Sequence, residues 1–213
     1  MKHTLWSAWL VLLCGSCSPT EEFDRGLAAY EQGQYQAANR LFSACLKRQE
    51  RVSEALFYKG RSLYEMNERD SLPAAVSAYR ALVSRETGRD TALLYRAVEN
   101  LGHTYYRLER YPQAFDSFYL TALVKPNTNA INYNLGVCLL ALDRPREASR
   151  YLLRECQGSG ASAQALAALS EAYLLSHRAD SARIYVQQTL RQHPAYAPAV
   201  ALQQELDSLT KNQ

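Results

Sequence analysis

The apolar positions of this chain recur at helical spacing, and the clearest stretch runs from 101 to 126, LGHTYYRLERYPQAFDSFYLTALVKP. Leu101, Tyr105 and Leu108 fall at i, i+4 and i+7, one face of a 3.6-residue helix; Ala114, Phe118 and Ala122 resume the pattern after a break at Glu109 to Pro112. Pro112 suits a first helical turn, where its fixed φ helps and its missing N–H has no intrahelical partner. Gly102 and Ala114 stand mid-face between large apolar residues, where a bulky side chain would hold two helix axes apart. Pro126 ends the unit, because a helix seldom runs through the residue before a proline. The pattern predicts two short helices meeting at a tight turn, in an all-α chain.

The unit repeats. Thirty-four residues beyond Gly102 stands Gly136, with Ala148 and Leu152 where Ala114 and Phe118 stood; another 34 reach Ser170, with Ala182, Val186 and Pro194. Backwards, Gly60 lies 42 residues before Gly102, and Gly26 lies 34 before Gly60. The eight extra residues are expected in a longer turn at 68–72 and a longer connection at 84–90. Leu-Gly-x-x-Tyr-Tyr followed by Tyr111, Ala114, Phe118 and Pro126 resembles the tetratricopeptide repeat, a 34-residue helix-turn-helix. The resemblance implies a right-handed α-solenoid of about five repeats, at 21–52, 53–88, 95–128, 129–160 and 163–195. Pro198 then opens a helix carrying Val200, Leu202, Leu206 and Leu209, and 198–209 is expected to cap the otherwise exposed apolar end.

The N-terminal stretch has another character. Lys2 and His3 precede an apolar run, Leu5 to Leu13, less than half the ~20 residues that span a bilayer. Residues 1–16 therefore read as a cleaved signal and 17–22 as a tether. Cys14-Gly15-Ser16-Cys17 resembles the bacterial lipobox, with Cys14 where an aliphatic residue is usual. That resemblance implies lipidation of Cys17 and anchoring in a bacterial cell envelope, facing periplasm or surface, and Ser18 after the cysteine, rather than Asp, resembles lipoproteins sent to the outer membrane; an unlipidated secretory signal is the alternative. Glu21 and Glu22 resemble the acidic tag of surface-exposed lipoproteins, or serve as first-turn charges of a helix.

Composition narrows the chemistry. Without Lys2 the chain carries 23 basic and 21 acidic residues and no polybasic block, so nucleic acid is not implied. No Gly-rich phosphate loop, His-Glu-x-x-His or Gly-x-Ser-x-Gly occurs, and His103, His177 and His193 are scattered, so neither catalysis, a metal nor a cofactor is expected. Gly158-Ser159-Gly160 reads as a linker. Cys45 suits a small buried position, while Cys138 and Cys156 either pack or pair as a disulfide. Arg146, Arg150 and Arg154 form an i, i+4, i+8 stripe on a second helix, either solvated beside Glu147 and Glu155 or facing anionic lipid.

Function is then sought on surfaces. In tetratricopeptide arrays the first helices line a concave groove that receives an extended peptide or a partner's helix. Here that stripe gives Phe23, Leu27 and Tyr30, then Phe57, Arg61, Tyr64 and Glu65, then Arg96, Glu99, His103, Tyr106 and Arg107. Tyr133, Val137, Leu140, Glu171 and Leu174 follow. The partner-binding candidates are Arg61, Tyr64, Arg96, His103, Tyr106 and Arg107, a basic and aromatic set suited to carboxylates and flat groups; the alternative is that the tyrosines fill gaps and the arginines are solvated. The paired Lys and Asn of a carboxylate clamp are missing. A non-enzymatic envelope adaptor is the leading expectation. A subunit of an outer-membrane assembly or secretion complex comes second and an envelope enzyme third.

Overall fold

The computed structural model describes residues 19–68, 70–85, 91–125, 130–157 and 160–211. The leader, Cys17, Pro126 and the Gly158–Ser159 link lie outside them. Among the described residues every regular element is helical: α1 (Pro19–Glu31), α2 (Tyr35–Lys47), α3 (Val52–Glu65), α4 (Ser71–Arg85), α5 (Thr91–Arg107), α6 (Tyr111–Val124), α7 (Ile131–Ala141), α8 (Pro145–Cys156), α9 (Ala163–Leu175), α10 (Ala179–Gln192) and α11 (Ala197–Lys211). None of these is long and apolar enough to cross a membrane. Each helix packs on its sequence neighbours. Contacts also run between α1 and α3, α3 and α5, and α7 and α9, while α11 reaches back to α9. Five antiparallel pairs and a terminal helix make an α-solenoid.

Four of the intra-repeat turns are built alike. Residues 32–34, 108–110, 142–144 and 176–178 each hold their second member at positive φ: Gly33 (72°), Glu109 (58°), Asp143 (55°) and His177 (60°). The following N–H reaches back five residues, as in Gln34 N–H to Ala29 O at 2.8 Å and Arg178 N–H to Tyr173 O at 2.9 Å. This Schellman arrangement satisfies carbonyls that the ending helix leaves open. Only the first turn uses glycine. His177 is thus a turn residue, as its sequence position indicates.

The eight extra residues of repeat two are distributed differently from the expectation. Relative to repeat one, α4 is two residues longer than α2, and α5 starts three residues further ahead of its glycine than α3 does. Helical residues bury side chains and pair their backbone, whereas loop residues are ordered for less return. The longer turn is sewn shut by Ser71, whose hydroxyl sits 2.6 Å from Leu63 O and 2.8 Å from Glu68 O.

Within each repeat a small residue of the first helix meets a large side chain of the second. A Cβ built on Gly26 would stand 2.8 Å from the Phe42 ring, on Gly60 2.7 Å from Tyr79, on Gly102 2.7 Å from Phe118, and on Gly136 2.4 Å from Leu152 Cγ. Ser170 occupies this place in repeat five, fully buried, its hydroxyl donating to Leu166 O at 2.8 Å. On the second helices Ala38, Ala75, Ala114, Ala148 and Ala182 are all inaccessible. Tyr79 is the anomaly among the large partners: its hydroxyl is buried with no hydrogen-bond partner among the described residues, and desolvation raises its pKa.

Gly136→Ala should lower stability by about 1–3 kcal/mol in chemical denaturation, because the clash with the Leu152 branch point outweighs the gain in helix propensity. Combining it with Leu152→Ala should cost less than the sum of the single changes, since each makes room for the other. Strict additivity would contradict this contact.

Candidate functional site

The first helices α1, α3, α5, α7 and α9 carry the predicted groove face, and its two halves are chemically distinct. In the N-terminal half a row of arginines lies on aromatic rings of α1 and α3. Arg51 Cζ sits 3.8 Å from the Phe23 ring centroid, Arg61 4.8 Å from Tyr30, Arg96 4.5 Å from Phe57, and Arg107 4.4 Å from Tyr64. Phe23 and Phe57 are consequently buried at 1% and 0% exposure, and form floor rather than contact surface. Each such cation–π pair contributes roughly 0.5–1 kcal/mol at an exposed site.

Arg107 is held most firmly. Its Nη1 donates to Tyr64 O at 2.8 Å and its Nη2 donates to Asn67 Oδ1. The guanidinium thus satisfies a carbonyl at the α3 C-terminus, where the helix dipole favours a cation. The residue predicted as an anion anchor is already engaged in joining repeats two and three. His103 also departs from the free surface role. Its ring stands edge-on to Phe118 at 4.9 Å, and burial lowers its pKa. Tyr106 packs edge-on against Tyr111 at 5.3 Å and presents its remaining surface to the C-terminal half.

That half encloses a cavity of about 580 Å³, bounded by Tyr106, Tyr133, Val137 and Leu140 on one side and Tyr196, Pro198 and Leu202 on the other. The helix expected to cap the solenoid's end therefore also closes the groove, with Tyr196 from the α10–α11 connection. Glu171 supplies the carboxylate of the cavity, and its pKa is raised by burial and then by Glu205. Burial also raises Tyr133, with Tyr196 and Glu171 adding to the effect. An aromatic and aliphatic recess beside one partly desolvated carboxylate suits an apolar side chain next to a hydrogen-bond donor or cation. The sequence reading named Tyr133, Val137, Leu140 and Glu171 on this face but missed Tyr196. Its position between Pro194 and Pro198 was the sole cue.

Residues 23–87, covering the first two helix pairs, match the sequence profile of the tetratricopeptide repeat family. The fold is a tetratricopeptide-repeat solenoid. Among solved tetratricopeptide folds it superposes on MamA with a TM-score of 0.73 at 17% identity, covering 84% of this chain and 93% of that one. PilF of Pseudomonas aeruginosa gives 0.72 at 20% identity, covering 89% and 82%. YrrB, described as a tetratricopeptide-repeat protein with an unusual peptide-binding site, gives 0.75 at 12% identity, covering 89% and 94%. No curated protein sequence matches this chain significantly.

Other candidate chemistry of the chain resolves into packing. Cys45, Cys138 and Cys156 are free thiols, so the Cys138–Cys156 bridge considered above is not formed. Burial pushes Cys138 up to about 12 and Cys156 up to about 11, away from nucleophilic thiolates. Donor atoms of Glu22, Cys45 and Glu50 lie within 4.8 Å of one another, a cluster that a search for histidines overlooked. Arg48 Nη1 stands 2.8 Å from Glu22 Oε2 and supplies a counter-charge. Glu22, read as half of an acidic surface tag or as a first-turn charge, is thus a helix residue ion-paired to the end of α2.

Arg107→Ala should destabilise the fold by about 1–3 kcal/mol, as expected for losing charged hydrogen bonds at a helix end, whereas Arg61→Ala should cost within about 1 kcal/mol. Equal losses in urea titrations would contradict the tie between Arg107 and the α3 C-terminus. His103 gives a pH signature. The unfolded imidazole takes its proton near 6.5 and the folded one only at lower pH, so its contribution to stability is complete above that value and lost as pH falls through it. Thermal unfolding from pH 7.5 to 5.5, roughly a unit either side of the free imidazole value, should show a smaller decline in His103→Phe than in the native chain.

Proposed function

We propose that this protein is a non-enzymatic scaffold of the bacterial cell envelope, lipid-anchored through Cys17 at the outer membrane, that holds a protein partner in its concave groove. The observation that carries the binding part is the cavity of about 580 Å³ between α5, α7, α9 and α11, an open recess of aromatic and aliphatic side chains with Gln164 and Glu171 among them, on the face that tetratricopeptide repeats use for recognition. The occupant is a peptide or helix placing an apolar side chain between Tyr133 and Leu202, with a donor or cation toward Glu171. This shifts the binding centre from the basic middle of the groove, where Arg61, Tyr64, Arg96 and Arg107 pair among themselves and with their neighbours, to the half beyond Tyr106. Arg96, exposed above Phe57, still offers guanidinium edges to a passing backbone.

The envelope part rests on the leader, whose short apolar run and Cys14-Gly15-Ser16-Cys17 ending resemble a lipoprotein signal. Tetratricopeptide-repeat proteins are generally non-enzymatic scaffolds, and the raised thiol pKa values of Cys138 and Cys156 accord with that role.

One experiment in intact cells addresses both parts. A photo-crosslinking amino acid placed at Tyr133 or Leu202 should yield discrete protein adducts, and the same group at Ser77 or Gln187, exposed on second helices, should not. Mass spectrometry of the membrane fraction should find acylated Cys17 as the new N-terminus. Adducts equally strong from the convex positions would overturn the groove reading; an unmodified N-terminus elsewhere would overturn the anchor.

A further inference from the structure

Outside the groove, α8 and the α9–α10 turn face each other across a second cavity of about 420 Å³ that shares no wall with the first. Arg146 and Arg150, four residues apart and so on one face of α8, line one side, and Arg178 lines the other. Sequence spacing had grouped Arg146 and Arg150 with Arg154. The structure instead turns Arg154 toward the Tyr151 ring, at 5.8 Å, and replaces it in the cluster by an arginine from the next repeat.

None of the three guanidinium groups makes an ion pair among the described residues, although Arg150 is near enough to Glu147 to help lower its pKa. Glu147, the carboxylate placed to neutralise Arg150, is held in a two-pronged contact by Arg144, with Nε at 2.7 Å and Nη2 at 2.8 Å. Among the described residues no carboxylate lies at ion-pair distance from Arg146, Arg150 or Arg178. The floor is apolar: Tyr173 is only 6% exposed, and Leu153 is half-buried beside it. Like charges gathered over a low-dielectric floor repel one another more than they would in open water, and an anion between them reverses the sign of that interaction.

The cluster is also partly fixed in advance. Arg178 lies 4.7 Å over the Tyr173 ring and stands immediately before α10, whose N-terminal end adds partial positive charge, offset in the first turn by Asp180 alone. Ser149 and Ser176 line the cavity, but their hydroxyls donate to Arg146 O at 2.9 Å and Ala172 O at 2.7 Å. The donors left for a ligand are therefore guanidinium forks, whose paired N–H groups match two oxygens of a tetrahedral anion. The volume falls in the ~300–1,000 Å³ range of small-ligand sites.

We propose that this cleft binds a phosphate group, with Arg146, Arg150 and Arg178 as its ligands. The phosphate belongs either to a soluble phosphorylated molecule or to a lipid headgroup, and two probes separate these sources. Inorganic pyrophosphate is titrated into the full mature chain by calorimetry at about 0.15 M ionic strength, where weak long-range attraction is screened. Flotation then compares phosphatidylcholine vesicles with vesicles containing phosphatidylglycerol, using protein that has not been acylated.

The double variant Arg146→Ala/Arg150→Ala should lose about tenfold or more in affinity, since charge-assisted forks are removed. The charge-matched control Arg40→Ala/Arg80→Ala, at exposed positions on α2 and α4, should retain the native value. Pyrophosphate binding with this pattern assigns a soluble ligand. Flotation with this pattern and no response to pyrophosphate assigns a headgroup. Absence of binding in both arms, or equal loss in the control pair, overturns the proposal. If the alanine pair fails to fold by circular dichroism, Arg146→Lys/Arg150→Lys keeps the charges without the forks and should still weaken binding severalfold; unchanged affinity there would equally overturn it.

Discussion

The solenoid depends on a close approach made four times over: a glycine of one helix set against a ring or branched side chain of the next. At Gly26, Gly60, Gly102 and Gly136 a single added carbon would stand within 2.8 Å of that partner. This sets the distance between the two helices of a repeat, and with it which side chains reach the adjoining pair. In an array where each unit touches only its neighbours, a geometry set inside one repeat is transmitted by stacking. Ser170 keeps the fifth repeat in line by satisfying its hydroxyl within its own helix, so a polar atom enters the core without an open hydrogen bond.

This constraint explains what could be read from the sequence. Residue size at a helix–helix contact is confined to a few choices, so the spacing of Gly26, Gly60, Gly102, Gly136 and Ser170 revealed the repeats, and the packed alanines of the second helices followed. The insertion in repeat two was visible as a number of residues and assigned to turn and connection, but its share in α4 and α5 was not, because a longer helix and a longer loop add the same count. Helix periodicity also put the groove residues on the correct face. It could not tell whether a neighbouring repeat had already engaged them. Arg107 looks like any exposed arginine until the α3 C-terminus lies beneath it, and His103 looks available until Phe118 is placed beside it. The Arg107 relation crosses a repeat boundary and depends on how one unit is rotated on the next, and the His103 relation depends on how α6 packs on α5; residue spacing encodes neither.

The arginine row therefore has two consequences for recognition. It ties α1, α3 and α5 together along the concave side through contacts between side chains that would otherwise face water. It also lowers the free energy available to a ligand there, because a ligand carboxylate must compete with the Tyr64 carbonyl and Asn67 for Arg107, and an aromatic group must displace a guanidinium already stacked. Beyond Tyr106 that row stops. The walls become tyrosine, valine and leucine, and α11 folds back to bound a volume rather than to fill it. Entering that recess releases water from apolar surface without breaking a protein–protein contact, so the gain from burial is not first spent on undoing existing structure. The half of the groove richest in recognisable charge is thus largely committed to holding the solenoid together, which is why the proposed binding centre lies in the plainer half.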